Sequence, residues 1–238
     1  MNDYAPGWSP DMLAMLSGRT AAERAAFVLP LLTGGQRVLD LGCGPGTITA
    51  GLPGFVLGID REPTQLTLAQ TAAPAAHFAA AAADALPIAT NALDVVFAHA
   101  LFEHLPDPAA ALVELRRVLR PGGRLALSSS DWSGAEITPR TPDVEQALAG
   151  HYRLRRAAGG DPFLGARLPD LVRASGFVNV QFSACGRVDM TYPELADYVH
   201  ARLVAAGDHD AAGAAARWAE HDGRFVQRWV EVTARAPR

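Results

Sequence analysis

Short apolar runs alternate with helix-like segments along most of the chain, and this alternation constrains the fold more than any other feature. The runs at 37–41, 55–59 and 93–98 consist mainly of apolar residues and are bounded by turn-forming residues. Strands of this kind are typical of parallel sheets, in which helices bury both faces of the sheet. The alternation therefore predicts an α/β fold in which helices cover a mainly parallel sheet.

The same reading predicts the individual elements. Strands are predicted at 37–41, 55–59, 76–80, 93–98, 124–130, 178–182 and 225–234. One helix is predicted to begin at Thr20, where Glu23 completes a capping box, and another at Thr47. Further helices are predicted at 63–71, from Pro108 onwards, and at 163–175, 192–206 and 211–220.

The charge balance restricts the partners that the chain can bind. It has 21 basic and 25 acidic residues, a net charge of −4, which disfavours a nucleic-acid partner. All of the basic residues are arginine, and the chain has no lysine. That excludes Schiff-base chemistry, a Walker-A phosphate site and a lysine general base.

Neither a membrane span nor a metal site is indicated. The first twelve residues, MNDYAPGWSPDM, lack the basic and apolar regions of a signal peptide, and no apolar stretch is long enough to cross a bilayer. Cys43 and Cys185 lie far apart and belong to no Cys/His cluster. We therefore expect a cytoplasmic protein that has two unpaired thiols and binds no metal.

A glycine-rich turn is the strongest local signal. The sequence VLDLGCGPG at 38–46 places Gly42, Gly44 and Gly46 between a predicted strand and a predicted helix. Glycine allows a tight turn and lets a ligand lie against the main chain. The N-terminus of a following helix attracts an anionic group. The alternative is a tight turn with no ligand.

An acidic residue ends the second predicted strand. Asp60 follows Asp40 by 20 residues. A carboxylate at this place after a glycine-rich loop can accept hydrogen bonds from both hydroxyls of a ribose. The alternative is a surface aspartate that caps the next helix, and the nearby glycine loop favours the ligand.

Five segments together resemble the class I S-adenosylmethionine-dependent methyltransferases. They are VLDLGCGPGTIT (38–49), VLGID (56–60), AADALP (82–87), LDVVFAHALFEHLPDP (93–108) and LRRVLRPGGRLALSSSDW (115–132). Within that class the chain resembles the ubiquinone/menaquinone-biosynthesis type, because GGDPFLGARLPDLVRASGF (159–177) is similar to its lid-to-helix region.

The resemblance implies a Rossmann-like, seven-stranded, mostly parallel sheet with helices on both faces, an antiparallel seventh strand and a helical lid. Residues 1–238 would form a single methyltransferase domain. Its cofactor-binding core would be 20–132, and the lid and substrate segments would be 1–19, 131–161 and 191–222.

The resemblance also implies a cofactor site for S-adenosyl-L-methionine. Asp40, Gly42, Gly44 and Gly46 would hold the methionine half of the cofactor, and Asp60 would hold its ribose. These positions all follow strand ends, where ligands of open α/β sheets bind.

Five further positions are implied for the remainder of the cofactor. Arg61 would flank the adenine, Asp84 would accept a hydrogen bond from its amino group, and Ala85 would lie beside the ring. Ala98 and His99 would face the sulfonium. Asp84 has an alternative role in a turn before Pro87.

Two residues are candidates for catalysis. His99 follows the fourth strand, where an imidazole can remove a proton from the acceptor near neutral pH. Its alternatives are a cofactor contact or a helix cap. Asp131 ends the fifth strand and either binds substrate or caps the lid. Since a sulfonium already activates the methyl group, we expect in-line displacement without a metal.

The acceptor is expected to be a small molecule in a partly apolar pocket. Arg153, Arg155 and Arg156 form a basic cluster that suits an anionic acceptor, although a solvated helix face is the favoured reading. The sequence leaves open whether the chain forms a homodimer. Two other functions also stay open: a cyclase-like or binding role without methyl transfer, and an NAD(P)-dependent oxidoreductase.

Overall fold

The computed structural model describes residues 16–238 as a seven-stranded sheet with helices packed against it. The strands are β1 (Arg37–Leu41), β2 (Phe55–Asp60), β3 (His77–Ala80), β4 (Leu93–His99), β5 (Leu119–Thr138), β6 (Val178–Arg187) and β7 (Arg224–Arg235). Their order in the sheet is β3-β2-β1-β4-β5-β7-β6. Strands β1 to β5 pair in parallel, and β7 runs antiparallel to both β5 and β6. The predicted Rossmann-like topology is confirmed, including the antiparallel seventh strand.

Seven α-helices lie entirely within residues 16–238 and connect or cover these strands. They are α1 (Ala21–Arg24), α2 (Pro63–Ala72), α3 (Pro108–Val118), α4 (Pro142–Ala157), α5 (Leu164–Ala174), α6 (Tyr192–Ala205) and α7 (His209–Ala219). Helices α3 and α5 pack on one face of the sheet in a single apolar cluster. Helix α1 and the segment after it pack on the other face, so helices lie on both sides as expected.

Helix α3 shows how the sequence sets an element next to the site. The Asp107 carboxylate accepts a hydrogen bond of 2.9 Å from the N–H of Ala110, and Pro108 occupies the first turn. Leu112 and Leu115 recur at helical spacing and are fully buried against the sheet. Each such leucine contributes roughly 1.5–3 kcal/mol of burial free energy. Their burial holds the helix close to the end of β4.

Helices α4, α6 and α7 form a second body, the three-helix layer, with its own apolar core. Tyr192 and Trp218 are among its largest buried side chains and meet edge-to-face at 5.4 Å. Thr191 and Glu194 form a reciprocal capping box at the start of α6. Trp132 from β5 and Phe225 from β7 also belong to this cluster. The layer is therefore attached to the sheet at the C-terminal part of β5 and the start of β7.

The predicted helix at Thr20 is far shorter than expected. Only Ala21–Arg24 is helical, and the Thr20 side chain makes no capping hydrogen bond, so the expected box with Glu23 is wrong. Pro30 has no amide hydrogen to donate, so an α-helix could not have continued through it. A 3₁₀ turn at Leu29–Leu31 takes its place.

The predicted helix at Thr47 is also wrong. A single 3₁₀ turn, Thr49–Gly51, lies between the glycine loop and β2. Gly51, Pro53 and Gly54 leave too few helix-forming residues for propagation before the next strand. The helix N-terminus that was expected to attract an anion is therefore not part of this site.

The segment 131–161 is more regular than its sequence suggests. Strand β5 continues to Thr138 after an irregularity between Asp131 and Glu136, and α4 follows. The weak sequence pattern concealed α4, because its exposed face carries most of the polar residues. The part of the expected lid within residues 1–15, including Tyr4 and Trp8, lies outside the described residues.

Candidate active site

Two adjoining cavities lie at the carboxyl ends of the parallel strands. The larger cavity has a volume of about 1110 Å³, counting its open mouth, and is bounded by the ends of β1, β2 and β4. The smaller cavity, of about 620 Å³, lies between the sheet and the three-helix layer. Four residues line both cavities: Arg19, Ala100, His104 and Arg155.

The glycine loop forms one wall of the larger cavity. The N–H groups of Gly42 and Cys43 both donate to the carbonyl oxygen of Ile59, at 2.7 and 3.1 Å. Gly44 has a φ of +50°, and a Cβ built there would meet no atom within 4 Å. Since Gly44 lines the cavity, this open space belongs to the cavity. A ligand can therefore lie against the main chain at Gly44.

Asp60 adjoins the loop in the wall of the same cavity. Its Oδ2 accepts a hydrogen bond of 2.9 Å from the N–H of Gly44, and its Oδ1 accepts one of 3.0 Å from the N–H of Glu62. The carboxylate lines the cavity at the end of β2. It can accept further hydrogen bonds there, because a carboxylate offers about four acceptor positions.

Two of the expected site residues support the loop from behind. Asp40 is buried outside the cavity lining, and its Oδ2 accepts a hydrogen bond of 2.6 Å from the hydroxyl of Thr49. Burial raises the pKa of Asp40 to about 7, the Thr49 hydrogen bond opposes this, and the charge of Asp60 adds to it. A Cβ on Gly46 would lie 2.7 Å from the Cα of Ala69. Gly46 therefore allows α2 to pack against the loop.

The structure brings only some of the residues expected around the adenine to the larger cavity. Arg61 lines the larger cavity, as do Ala81 and Ala83 after β3. The side chains of Asp84 and Ala85 are exposed and do not line it. Their roles toward adenine stay predictions.

His99 is placed at the cavity as expected, whereas Ala98 is buried in the core of β4. The imidazole stacks on the indole of Trp229, with ring centroids 4.6 Å apart and planes 21° apart. Neither ring nitrogen has a hydrogen-bond partner among residues 16–238. An unpaired buried nitrogen costs free energy, so His99 is suited to hydrogen bond a ligand.

Electrostatics keep His99 neutral. Burial lowers the pKa of this imidazole well below 6.5, and the positive charges of Arg19, Arg24 and Arg187 lower it further. A neutral imidazole offers one donor and one acceptor. His99 is therefore a neutral imidazole at neutral pH. It is poorly suited to hold an extra proton, because its cation is unfavourable.

Asp131 does not lie in the site. Its Oδ1 accepts hydrogen bonds from the N–H and hydroxyl of Ser133, at 3.0 and 2.6 Å. Its Oδ2 lies 3.4 Å from a guanidinium nitrogen of Arg228. The residue is fully buried and lines neither cavity. These contacts indicate a structural role beside the irregularity in β5.

The smaller cavity combines aromatic walls with charged groups. Its aromatic lining residues are Trp132, Tyr198, Phe225 and Trp229. Glu103, which sequence reasoning did not single out, also lines it and is only 1% exposed. The available sequence signal was the acidic side chain itself, which opens the segment EHLPDP four residues after His99.

Three hydrogen bonds stabilise the Glu103 carboxylate. It accepts from the hydroxyls of Ser129 and Ser130, at 2.7 and 2.9 Å, and from the N–H of Ser130 at 3.2 Å. Both serines belong to β5, so these contacts join the turn after β4 to the neighbouring strand. The carboxylate is thereby fixed in orientation at the wall of the smaller cavity.

Comparison with known proteins decides the family. Residues 39–127 match the family described as "Methyltransferase domain". The chain is 33% identical over 199 residues to "Probable methyltransferase ltbC" of Aspergillus luteorubrus, covering 74% of this chain and 69% of that protein. It is also 33% identical over 191 residues to trans-aconitate 2-methyltransferase of Methylobacterium radiotolerans, covering 77% and 70%. The chain belongs to the S-adenosylmethionine-dependent methyltransferases.

Solved structures share the fold of this methyltransferase. A Bacillus halodurans C-125 protein is 17% identical with a TM-score of 0.65, covering 90% of this chain and 98% of that one. Phosphoethanolamine N-methyltransferase 2 of Haemonchus contortus, in complex with S-adenosyl-L-methionine, is 18% identical with a TM-score of 0.57, covering 98% and 53%. The [4+2]-cyclase SpnF is 22% identical with a TM-score of 0.57, covering 95% and 81%.

The methyltransferase uses S-adenosylmethionine as methyl donor. Its larger cavity fits that donor, because the open space at Gly44 lies beside the carboxylate of Asp60 in the cavity wall. Among the described residues, no group of side chains suits a metal ion. No helix within residues 16–238 is long and apolar enough to cross a membrane.

Proposed function

We propose that the methyltransferase binds its methyl donor in the larger cavity and a small, partly apolar acceptor in the smaller cavity, and transfers the methyl group between them. The observation that supports this most is the shared wall formed by Arg19, Ala100, His104 and Arg155. Two ligands that meet at a common wall can be aligned for direct transfer.

The reaction is a metal-independent in-line displacement. Bound S-adenosylmethionine supplies a methyl group on a sulfonium, whose leaving group is a neutral thioether that needs no acid or metal. The protein supplies alignment, which can lower the barrier by up to roughly 7–11 kcal/mol. The aromatic walls of the smaller cavity exclude water and orient the acceptor.

Each predicted cofactor residue has a proposed role. Gly42 and Gly44 give the methionine half access to the main chain, Asp60 binds the ribose hydroxyls, and Arg61 flanks the adenine. Asp40 and Gly46 act by holding the loop. Asp84, Ala85 and Ala98 keep their proposed places around the cofactor, although their side chains do not line the cavity.

The sequence suggested His99 as the first candidate for a catalytic residue and Asp131 as the second, and we propose His99 alone. The position of His99 in the larger cavity beside Trp229 supports the first assignment. Because its cation is unfavourable, we propose that His99 orients the acceptor or the donor by hydrogen bonding and does not hold a full proton. The contacts of Asp131 with Ser133 and Arg228 give the second assignment no support.

The domain organisation also remains a proposal. The segments 131–161 and 191–222 act as the lid, supported by Arg155 of α4 and Tyr198 of α6, which line the smaller cavity. The segment 1–19 completes it, supported by Leu16 and Arg19 in the larger cavity. The core 20–132 and these segments form one domain.

Three further assignments accompany the proposed function: the type of methyltransferase, the cellular location and the oligomeric state. The ubiquinone/menaquinone-biosynthesis type is supported by the segment 159–177, which packs beside the site. A cytoplasmic location is supported by the unpaired thiols of Cys43 and Cys185. A homodimer is supported by the exposed Phe182 on the edge strand β6.

A labelling experiment tests the proposed function. The purified protein is incubated with methyl-labelled S-adenosylmethionine and a small-molecule extract, with and without EDTA. We expect the label to appear in a small molecule at the same rate in both samples. Label found only in RNA or protein would contradict the proposed acceptor class, and activity lost with EDTA and restored by magnesium would contradict the metal-independent reaction.

A further inference from the structure

A buried arginine lies where the two cavities meet. Arg155, near the end of α4, lines both cavities and is only 5% exposed. Its Nη2 lies 3.5 Å from Nδ1 of His104, and its Nε has no hydrogen-bond partner among residues 16–238. A guanidinium is always charged, so this is a permanent positive charge out of contact with bulk water.

No carboxylate neutralises that charge within the described part of the chain. Thirteen ion pairs are formed among residues 16–238, and none of them involves Arg155. By contrast, the partly buried Arg24 and Arg187 are paired with Asp189 and Glu231 at 2.6 and 2.7 Å. An unpaired buried charge is costly, and a bound anion would remove most of that cost.

The chain holds Arg155 in place by tight packing at the end of α4. A Cβ on Gly160 would lie 2.6 Å from the carbonyl oxygen of Glu103, so only glycine allows this approach. The N–H of Gly160 donates to the carbonyl of Arg155 at 3.0 Å, and the N–H of Asp161 donates to that of Glu103 at 3.0 Å. These contacts fix the end of α4 against the turn after β4.

Glu103 lines the smaller cavity but does not serve as the counter-ion. Its two carboxylate oxygens are taken up by the donors of Ser129 and Ser130. Burial lowers the pKa of His104 well below 6.5, and the charge of Arg155 adds to this, so His104 is a neutral neighbour. Asp189 also lines this cavity but pairs with Arg24, so residues 16–238 offer Arg155 no counter-ion.

We propose that Arg155 binds a carboxylate of the methyl acceptor, which makes the substrate a small organic acid with an apolar portion. This inference rests on the proposed function, since it names the class of acceptor in the smaller cavity. The guanidinium fork matches a carboxylate. A carboxylate brings one negative charge, whereas a phosphate dianion would bring two into a cavity that Glu103 and Asp189 also line. The apolar portion of the acid lies among the rings of Trp132 and Trp229.

Fractionation of the acceptor tests the charge without any variant. A small-molecule extract is separated by ion exchange into anionic, neutral and cationic pools, and each pool is offered with methyl-labelled S-adenosylmethionine. We expect labelling from the anionic pool, unchanged after phosphatase treatment. Labelling from the neutral or cationic pool, or its loss after phosphatase, overturns the proposal. Labelling from no pool contradicts the proposed function itself.

Variants locate the effect at Arg155. Arg155→Gln is expected to reduce labelling from the anionic pool by about 30- to 150-fold, the cost of one charged hydrogen-bonding partner. Arg155→Lys, which keeps the charge, should retain part of the labelling that Arg155→Gln loses. Arg153→Gln is the matched control, since Arg153 is exposed and pairs with Asp208.

Binding of S-adenosylhomocysteine, measured by calorimetry, separates acceptor from cofactor. We expect its affinity to be the same in the wild type, Arg155→Gln, Arg155→Lys and Arg153→Gln. A tenfold or larger loss confined to the Arg155 variants would show that Arg155 binds the carboxylate of the cofactor, and labelling unchanged by Arg155→Gln would also overturn the proposal.

Discussion

The carboxylate of Asp60 accepts a hydrogen bond of 2.9 Å from the backbone N–H of Gly44, which joins the end of β2 to the glycine loop that follows β1. The two residues stand 16 positions apart in the sequence and lie side by side in the wall of the larger cavity. Asp60 therefore has two consequences for the cofactor: it offers acceptors to a ribose, and it holds the loop in the shape that receives the methionine half.

Replacing Asp60 by alanine should weaken cofactor binding. We expect a loss of roughly 1.5–3 kcal/mol for Asp60→Ala, since a charged acceptor is removed. Calorimetric titration with S-adenosylhomocysteine measures it, and Asp170→Ala, at an exposed position outside both cavities, is the control. An unchanged affinity in Asp60→Ala would remove this residue from the site.

The His99 imidazole should act without becoming charged. Because burial keeps its pKa well below 6.5, the rate of single-turnover methyl transfer at saturating cofactor should be flat between about pH 6 and 9. His99→Phe keeps the aromatic contact with Trp229 but loses the nitrogens, and we expect a rate reduced about 10- to 100-fold. A wild-type rate in this variant would show that alignment by other residues suffices.

Asp131 should matter for stability and not for the reaction. Asp131→Asn disturbs the hydrogen bonds from Ser133 and the charge opposite Arg228. We expect a loss of roughly 1–3 kcal/mol in the free energy of unfolding, measured in urea. The single-turnover rate of the folded variant should match the wild type. A large fall in rate at unchanged stability would instead restore Asp131 as a catalytic residue.

His151 should make the protein less stable in acid. Burial lowers its pKa to about 3, helped by the charges of Arg155 and Arg202. Between the unfolded value near 6.5 and this folded value the unfolded state binds more protons, so stability falls as pH falls, by about 1.4 kcal/mol per pH unit. Asp40, whose pKa is raised to about 7, acts in the opposite direction over part of this range.

Substitution isolates that contribution. His151→Phe should flatten the dependence of unfolding free energy on pH by about 1.4 kcal/mol per unit between roughly pH 6 and 4, measured by urea unfolding. His221→Phe, at an exposed position, should leave the slope as in the wild type. Equal slopes in all three proteins would show that His151 does not titrate with folding.

The strands and the loop between β1 and β2 could be predicted because their signals are local. Buried strands require apolar runs, and Gly44 with Asp60 stands at the places where this fold binds ligands. The prediction of a helix at Thr47 was wrong because the helix-breaking residues Gly51, Pro53 and Gly54 outweigh the helix-forming residues before them. Likewise, the capping box lies at Thr191 and Glu194, and the sequence pattern alone did not distinguish it from the one expected at Thr20.

The residues that only tertiary packing brings into the site could not be predicted from the local sequence. Glu103 and Arg155 reach one cavity because the end of α4 packs on the turn after β4, a contact between segments about 50 positions apart. Nothing in the local sequence separates Arg155, which is buried, from its exposed neighbour Arg153. Only packing makes one of them a site residue.

Gly44 provides the most direct test of the account, through the affinity for S-adenosylhomocysteine. Gly44→Val places a side chain in the larger cavity, whereas Gly122→Val places one in open space elsewhere at a similarly left-handed φ of +74°. Both variants carry comparable backbone strain, so unfolding temperatures control for stability. The account predicts that calorimetry finds wild-type affinity in Gly122→Val and a loss of about 100-fold or more in Gly44→Val. Equal affinity in both variants would contradict the placement of the cofactor against the glycine loop.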